Sequence, residues 1–272
     1  MTAANVLTSR VTLVGPGRAG RAFERSWTGA GGRLQTIIGR ETRQNAYPPC
    51  DFVVLAVPDD ALATVAAELV SRLPCRFALH LSGAFGSEVL APFAAAGAET
   101  ASLHPVRPFT GAADEDWRGA FVAVEGQPGA VALADSIAVA VGAQPHRLAA
   151  GNRALYHAAA TLAAGGAAAI VSIAVRGWVT AGIPEGVARE TLAGLAARAT
   201  AAVGARTFPE AFTGAVARRD TGTVRAHIAA LAADSRSLAL YRALAEEILL
   251  RTEGAGREGE IRALLDAQDS PR

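Results

Sequence analysis

Three glycines near the start of the chain limit its fold more than any other feature. Gly15 ends the apolar run 11–15, and Gly17 and Gly20 follow at the start of an amphipathic segment. In a strand–turn–helix unit, the first glycine allows a tight turn, the second lets backbone N–H groups approach a pyrophosphate, and the third permits close helix packing. A glycine-rich turn without a ligand has the same spacing. The context favours a dinucleotide-binding turn formed by Gly15, Pro16, Gly17, Arg18, Ala19 and Gly20.

The first half of the chain alternates between short β-branched runs and amphipathic segments. Strands are predicted at 11–15, 34–39, 52–57, 77–81, 99–103 and 121–126, with helices at 18–30, 59–73, 86–96 and 129–142. Such alternation indicates parallel strands joined by right-handed crossovers. The runs are apolar on both faces, as in strands covered by helices on both sides. We therefore predict an α/β Rossmann domain over residues 1–150, with a mostly parallel, doubly wound sheet.

The strand pattern stops near residue 151, where we place the domain boundary. Helices are predicted at 152–181, 184–203, 221–233 and 236–252, and the charged tail from Gly254 is expected to be loosely held. We therefore predict an all-helical domain over residues 151–272. The stretch 158–175 is almost free of polar groups and nearly long enough to span a membrane. Its high content of Ala and Gly favours a buried helix of a soluble protein instead.

The charged residues weigh against several classes of function. The 26 basic residues, all of them Arg, face 25 acidic residues, so the formal net charge is +1. This balance leaves no excess positive field to attract nucleic acid or a membrane surface. Because the chain contains no Lys, Schiff-base chemistry, a P-loop lysine and a lysine general base are excluded.

The cysteines and the N-terminus predict a cytoplasmic location. Cys50 and Cys75 match no metal-ligand spacing, and one possible pair cannot form a secretory disulfide framework. The N-terminal residues lack the charged and apolar regions of a signal peptide. We accordingly predict no bound metal and a reducing environment.

Two arginines at the end of the second predicted strand bear on the choice of cofactor. NAD-binding domains place an acidic residue there, about 20 residues after the glycines, to hold the ribose hydroxyl. Here Arg40 occupies that place, followed by Thr42 and Arg43. Guanidinium groups match phosphate oxygens, so these residues favour the 2′-phosphate of NADP over NAD. Glu41 leaves open the alternative of a bond to the ribose hydroxyl.

Several further motifs point to one superfamily. The glycine turn, the run Asp51–Asp59, a Ser82-Gly83 turn after a strand and an all-helical second half resemble 6-phosphogluconate dehydrogenase-like proteins. A closer resemblance, to a bacterial family of Rossmann-like proteins with a helical domain of unknown function, rests on motifs at 80–84, 103–105, 155–160 and 213–220. The resemblance implies an NADP oxidoreductase with a helical domain for substrate binding and homodimerisation. It also implies that Ala56, Val57 and Pro58 pack on the cofactor riboses, although a purely structural turn has the same sequence.

Histidines and a serine near the expected ligand edge are candidates for substrate binding. In the hydroxyacid dehydrogenases of the superfamily, a Ser-Gly segment holds the substrate carboxylate, which implies this role for Ser82 and Gly83. His80 and His104 fall near strand ends on the same edge. A structural role explains each equally well: His80 as a histidine hydrogen-bonded inside the sheet, and His104 as a histidine that fixes the loop before Pro105. Substrate binding is accordingly predicted for Ser82, Gly83, His104, Thr161 and Arg218.

The predicted helix after residue 151 supplies the catalytic candidates. Arg153 and His157 are four residues apart, so they project from one helical face, with Thr161 one turn further. The resemblance places Arg153 where related dehydrogenases carry Lys. Because arginine does not readily give up a proton, we predict His157 as the acid/base group, Arg153 as an electrostatic clamp and Ser82 as a donor to the substrate. Alternatively, Tyr156 and His157 only satisfy neighbouring groups at the domain junction.

The segment 213–220 is a polar loop in an otherwise Ala-rich half. The resembling family carries TGPxxRGD there, and in this chain Ala215 replaces the proline and Arg219 the glycine. The loop either supplies Arg218 to an anionic substrate or only caps the following helix.

These observations predict an NADP(H)-dependent oxidoreductase that transfers a hydride to or from a carbonyl or imine carbon of a small carboxylate-bearing substrate. The alternative is a catalytically silent dinucleotide-binding sensor or assembly partner, because the usual Lys is missing.

Overall fold

A seven-stranded sheet forms the centre of the first half of the chain. The computed structural model describes residues 3–42, 45–149, 151–252 and 258–266. Its strands are β1 (Val11–Val14), β2 (Leu34–Ile38), β3 (Cys50–Leu55), β4 (Cys75–His80), β5 (Glu99–Pro105), β6 (Phe121–Gly126) and β7 (Gln144–Arg147). Their order in the sheet is β2-β1-β3-β4-β5-β6-β7.

The pairing is mostly parallel, as predicted. Strands β2, β1, β3, β4 and β5 run parallel, β6 is antiparallel to β5, and β7 is parallel to β6. The short strand β7 was not predicted, because its sequence, Gln-Pro-His-Arg, has no apolar run. Its Pro145 fits an edge strand, where a missing N–H is tolerated. His146 of β7 stacks on Phe121 of β6 at 4.3 Å between ring centroids.

Helices cover both faces of the sheet. They are α1 (Ala3–Val6), α2 (Arg18–Gly29), α3 (Leu62–Leu69), α4 (Ala91–Ala95) and α5 (Pro128–Ala140). Helix α6 (Arg153–Thr161) follows β7, and Arg153 is its one buried residue. On one face, Phe52 of β3 packs in a cluster with Phe23 and Trp27 of α2. On the other face, Val53 packs with Leu62 of α3. Neighbouring residues of one strand thus enter opposite cores, which explains the continuous apolar runs and confirms the doubly wound α/β class.

The chain divides into two compact units, residues 1–164 and 165–272. Helix α6 therefore belongs to the first unit. The second unit is helical, as predicted, with α7 (Ala167–Thr180), α8 (Glu185–Ala205), α9 (Phe208–Ala211), α10 (Thr221–Leu231), α11 (Ser235–Arg251) and α12 (Glu258–Asp266). A π-helical turn at Leu162–Gly166 separates α6 from α7, where one uninterrupted helix was predicted.

The expectation of a loosely held tail after Gly254 is wrong for residues 258–266. They form α12, whose Ile261 and Leu265 are buried in one cluster with Val224 of α10 and Leu249 of α11. The segment was not predicted as a helix because four of its nine residues are charged and its apolar stripe is only about two turns long.

The apolar helical stretch Arg153–Thr180 is exposed within the single chain. Its mean hydropathy is 2.0, and 6% of its most apolar part is buried. Among the described residues, it is the one helical stretch long and apolar enough to cross a membrane. The described residues of the single chain do not supply the predicted burial of this stretch.

Candidate functional site

The glycine turn after β1 has the backbone geometry that a dinucleotide cradle requires. Gly15 has a φ of +90°, and a Cβ there would lie 2.6 Å from the carbonyl oxygen of Ala56. A Cβ at Gly20 would overlap the carbonyl oxygen of Gly15, whereas a Cβ at Gly17 would meet no atom within 4 Å. Gly15 and Gly20 therefore serve the turn and the helix packing, while Gly17 faces open space.

The start of α2 next to this turn is positively charged. Gly17 caps α2 without a side-chain hydrogen bond, and the first turn contains no acidic residue. A cavity of about 320 Å³ is lined by Pro16, Gly17, Arg18, Arg21, Arg25 and Gly111. Free N–H groups and guanidinium groups at a helix N-terminus fit a pyrophosphate. Arg21 and Arg25, four residues apart on α2, were not predicted; their Nε groups donate to the carbonyl oxygens of Pro16 at 3.1 Å and Glu115 at 2.8 Å.

Two of the residues predicted to select the cofactor, Arg40 and Thr42, lie in the exposed turn that follows β2. Arg40 is exposed, and Thr42 Oγ1 accepts a hydrogen bond from the backbone N–H of Gly39 at 3.2 Å. Glu41 is also exposed. Arg43 lies outside the described residues. At the neighbouring strand end, the N–H of Ala56 donates to Val14 at 2.8 Å, and Val57 and Pro58 follow.

His80 at the end of β4 is satisfied inside the fold. Its Nε2 lies 2.9 Å from the carbonyl oxygen of Gly86, and its Nδ1 accepts from the N–H of Ser82 at 3.2 Å. The ring is fully buried, and this desolvation lowers the pKa of His80 to about 4. A neutral imidazole with Nε2–H directed at Gly86 satisfies both bonds. His80 thus shapes the turn that carries Ser82.

Ser82 is buried at the same strand end. Its Oγ accepts hydrogen bonds from the N–H groups of Ala84 at 3.1 Å and Phe85 at 3.3 Å. The hydroxyl proton is not used in these bonds, so Ser82 can still donate to a substrate.

Gly83 lies directly against two imidazole rings. A Cβ at Gly83 would lie 2.6 Å from His157 Nδ1 and 2.8 Å from His104 Nε2. His157 Nδ1 is buried and has no hydrogen-bond partner among the described residues. The fold therefore brings together Gly83 from the β4 edge, His104 from β5 and His157 from α6. The close approach explains why this position needs a glycine.

Tyr156 is bonded to the second of these histidines. Its hydroxyl lies 2.7 Å from His104 Nδ1, and the two ring planes meet at 88°. Burial, with smaller contributions from Arg153 and His157, lowers the pKa of His104 to about 4. Burial also raises the pKa of Tyr156 to about 12. Both side chains are therefore uncharged at neutral pH.

Arg153 forms an ion pair that sequence reasoning missed. Its Nε donates to Glu125 Oε2 at 3.1 Å, and its Nη2 lies 3.0 Å from the same oxygen. The side chains of Arg153 and Glu125 are 8% and 18% exposed, so water screens this pair little. The Nη1 group of Arg153 is buried without a hydrogen-bond partner within the described ranges. The two residues are 28 positions apart in the chain, and no local spacing in the sequence links them.

The two remaining substrate candidates are exposed. Thr161 ends α6 in the first unit, and Arg218 lies before α10 in the second. Beside Arg218, Asp220 caps α10 by accepting from the N–H of Thr223 at 3.0 Å. Substrate binding by Thr161 and Arg218 stays a prediction.

Arg219 of the same loop is a structural residue. It has a φ of +56°, in the left-handed region that favours glycine, and it stands where the resembling family carries glycine. Its buried guanidinium donates to Thr252 Oγ1 at 2.8 Å, which ties the loop to the end of α11.

Comparison with protein families agrees with this architecture. A family model for a Rossmann-like domain matches residues 10–105, and a model described as a domain of unknown function (DUF2520) matches residues 120–248. The chain is a Rossmann-like protein with a DUF2520 domain. In this Rossmann-like DUF2520 protein, the first match contains the glycine turn, Ser82 and His104, and the second contains Glu125 and His157. No curated protein matches the chain in sequence.

Solved structures share the fold of this Rossmann-like DUF2520 protein at low sequence identity. A protein from Bacteroides fragilis, described as a candidate NADP oxidoreductase, is 16% identical with a TM-score of 0.74; the match covers 89% of this chain and 98% of that one. A protein from Thermotoga maritima is 21% identical with a TM-score of 0.70 over 89% and 98%. An NADH-preferring ketol-acid reductoisomerase from an uncultured archaeon is 12% identical with a TM-score of 0.63 over 97% and 86%.

Proposed function

We propose that this protein is an NADP(H)-dependent oxidoreductase acting on a carbonyl or imine carbon of a small carboxylate-bearing substrate. The observation that carries this proposal is the pair of imidazole nitrogens at Gly83, after the carboxyl end of β4 and at the same edge of the sheet as the open glycine turn after β1. In doubly wound sheets, ligands bind at the carboxyl ends of the strands. The described functions of the B. fragilis protein and the archaeal reductoisomerase support an oxidoreductase.

The glycine turn and the start of α2 would hold the cofactor pyrophosphate, and Ala56, Val57 and Pro58 would contact its riboses. Arg40 and Arg43, with Thr42, are proposed to recognise the 2′-phosphate and so to favour NADP over NAD. When bound, the nicotinamide supplies the hydride carrier that the chain itself lacks.

His157 is proposed to exchange the proton of the substrate oxygen or nitrogen. Histidine is the side chain suited to proton transfer near neutral pH, and the Nδ1 of His157 has no competing partner among the described residues. Ser82 and the backbone at Gly83 would orient the substrate carboxylate.

Arg153 is proposed to contact the substrate through Nη1, the guanidinium nitrogen that is neither bonded nor ion-paired. Its ion pair with Glu125 compensates much of its charge and fixes the direction of the guanidinium group. Arg153 would therefore act mainly through an oriented Nη1–H donor rather than through an uncompensated positive charge.

A second copy of the chain is proposed to cover the exposed apolar helix. Leu155 and Leu162 are each 74% exposed in the single chain. Burial of such side chains stabilises an interface by roughly 25 cal/mol per Å² of apolar surface. Light scattering on the purified protein is expected to give twice the chain mass without detergent. A monomer that binds lipid vesicles would contradict this proposal and a cytoplasmic location.

A substrate screen tests the function. Consumption of NADPH is followed with small 2-oxo acids, cyclic and linear imines, and aldehydes, and we expect turnover with a carboxylate-bearing member. Binding of NADPH without turnover across this series would instead favour the sensor, since Arg153 replaces the usual Lys.

A further inference from the structure

Two histidine–tyrosine pairs of the same geometry occur in the described residues. His104 Nδ1 lies 2.7 Å from the Tyr156 hydroxyl, and His227 Nδ1 lies 3.1 Å from the Tyr241 hydroxyl. In both pairs the ring centroids are 5.7 Å apart and the planes meet at 88°. The His227 ring is exposed, whereas His104 is partly buried and faces the glycine at the candidate site. The second pair is thus an internal control for the first.

The direction of the hydrogen bond follows from the partners. A neutral imidazole has one donor and one acceptor nitrogen, and a phenol needs an acceptor for its proton. Burial keeps His104 neutral and Tyr156 protonated at pH 7, because their pKa values are about 4 and about 12. Within the described residues, the Tyr156 hydroxyl has no other hydrogen-bond partner. It therefore donates to His104 Nδ1, which leaves the ring proton of His104 on Nε2.

His104 Nε2 and His157 Nδ1 both face Gly83. The position of a Cβ at Gly83 lies 2.8 Å from the first nitrogen and 2.6 Å from the second, so the two nitrogens are close neighbours. A substrate oxygen placed between them, clear of the glycine backbone, is within hydrogen-bond reach of both. A hydroxyl group accepts one hydrogen bond and donates another. The donor at His104 Nε2 and the acceptor at His157 Nδ1 match these two requirements.

We propose that Tyr156 is a positioning residue, which fixes His104 as the Nε2–H tautomer so that His104 donates to the substrate oxygen beside His157. This role rests on the proposed function. In the oxidative direction, the substrate O–H proton would form an N–H bond at His157 Nδ1, the electron pair of the O–H bond would form the C=O bond, and the hydride on the same carbon would leave to the nicotinamide of the proposed function. In the reductive direction, a hydride would reach the carbonyl carbon and His157 Nδ1–H would return the proton to the oxygen. His104 keeps its proton throughout and acts as a preorganised donor to the developing charge on oxygen.

The tautomer of His104 tests this proposal without any nucleotide or substrate. The full chain is labelled with ¹⁵N in the histidine rings, and long-range ¹H–¹⁵N spectra are recorded at neutral pH for the wild type, Tyr156→Phe and Tyr241→Phe. His104→Gln assigns the signals. We expect a protonated Nε2 and an unprotonated Nδ1 in the wild type. In Tyr156→Phe, the two ¹⁵N shifts of His104 should move towards each other, whereas Tyr241→Phe should leave them unchanged.

A proton on His104 Nδ1 in the wild type would overturn the proposal, as would an unchanged His104 pattern in Tyr156→Phe. If Tyr156→Phe does not fold, the wild-type tautomer alone decides. Because no cofactor is present, a failure to bind NADPH would contradict the proposed function while leaving the tautomer result standing.

Discussion

Replacement of His157 by Ala is expected to lower turnover by about 10²–10⁴-fold, the usual effect of removing a general acid/base. The Nδ1 atom of His157 is buried beside Gly83 and lacks a hydrogen-bond partner among the described residues. The variant should retain its fold, because the ring takes part in no hydrogen bond in the described structure. The measurement is kcat with the best substrate of the screen.

The matched control for this experiment is His227→Ala, which removes an exposed imidazole from the second unit. It should leave kcat unchanged. NADPH affinity should be the same in both variants and in the wild type. An unchanged rate in His157→Ala would exclude this residue as the proton carrier.

Replacement of Glu125 by Ala is expected to lower the free energy of unfolding by about 3–5 kcal/mol, the range for breaking a buried ion pair. The change leaves the guanidinium of Arg153 buried without its carboxylate, since the Arg153 side chain is 8% exposed. Urea unfolding followed by circular dichroism measures the effect. Loss of the pair should also reduce turnover, because Arg153 and His157 lie on the same helix.

Asp135→Ala provides the control for the stability change. Asp135 also pairs with an arginine, at 2.6 Å from Arg147, but the Arg147 side chain is 63% exposed. Exposed pairs contribute about 0–1 kcal/mol, so this variant should unfold almost like the wild type. An equal loss of unfolding free energy in the two variants would contradict the claim that burial makes the Arg153–Glu125 pair the more stabilising one.

The glycine turn could be predicted from the sequence because its requirements are local. Gly15 needs its positive φ and Gly20 its missing side chain within one strand–turn–helix unit. The fold class could be predicted because the strands are continuous apolar runs, whose alternate residues lie in the cores on the two faces of the sheet. Strand β7 and helix α12 were missed because both form through tertiary contacts that outweigh a polar local sequence.

The candidate site was only partly predictable, since its members come from distant parts of the chain. Spacing along one helix placed Arg153 and His157 together, but it did not show that Glu125 pairs with Arg153. Sequence also left the roles of His80 and His104 open. Burial and hydrogen bonding separate them, because both nitrogens of His80 are bonded whereas His104 keeps Nε2 directed at Gly83.

Calorimetric titration of NADPH and NADH tests the central claim, that the glycine turn holds a dinucleotide whose 2′-phosphate lies at Arg40. The wild type is expected to bind NADPH more tightly than NADH. Arg40→Ala should weaken NADPH binding by roughly 10- to 100-fold, as expected for losing a charge-assisted hydrogen bond of about 1.5–3 kcal/mol, and leave NADH binding unchanged. Absence of binding heat with either nucleotide would contradict the account.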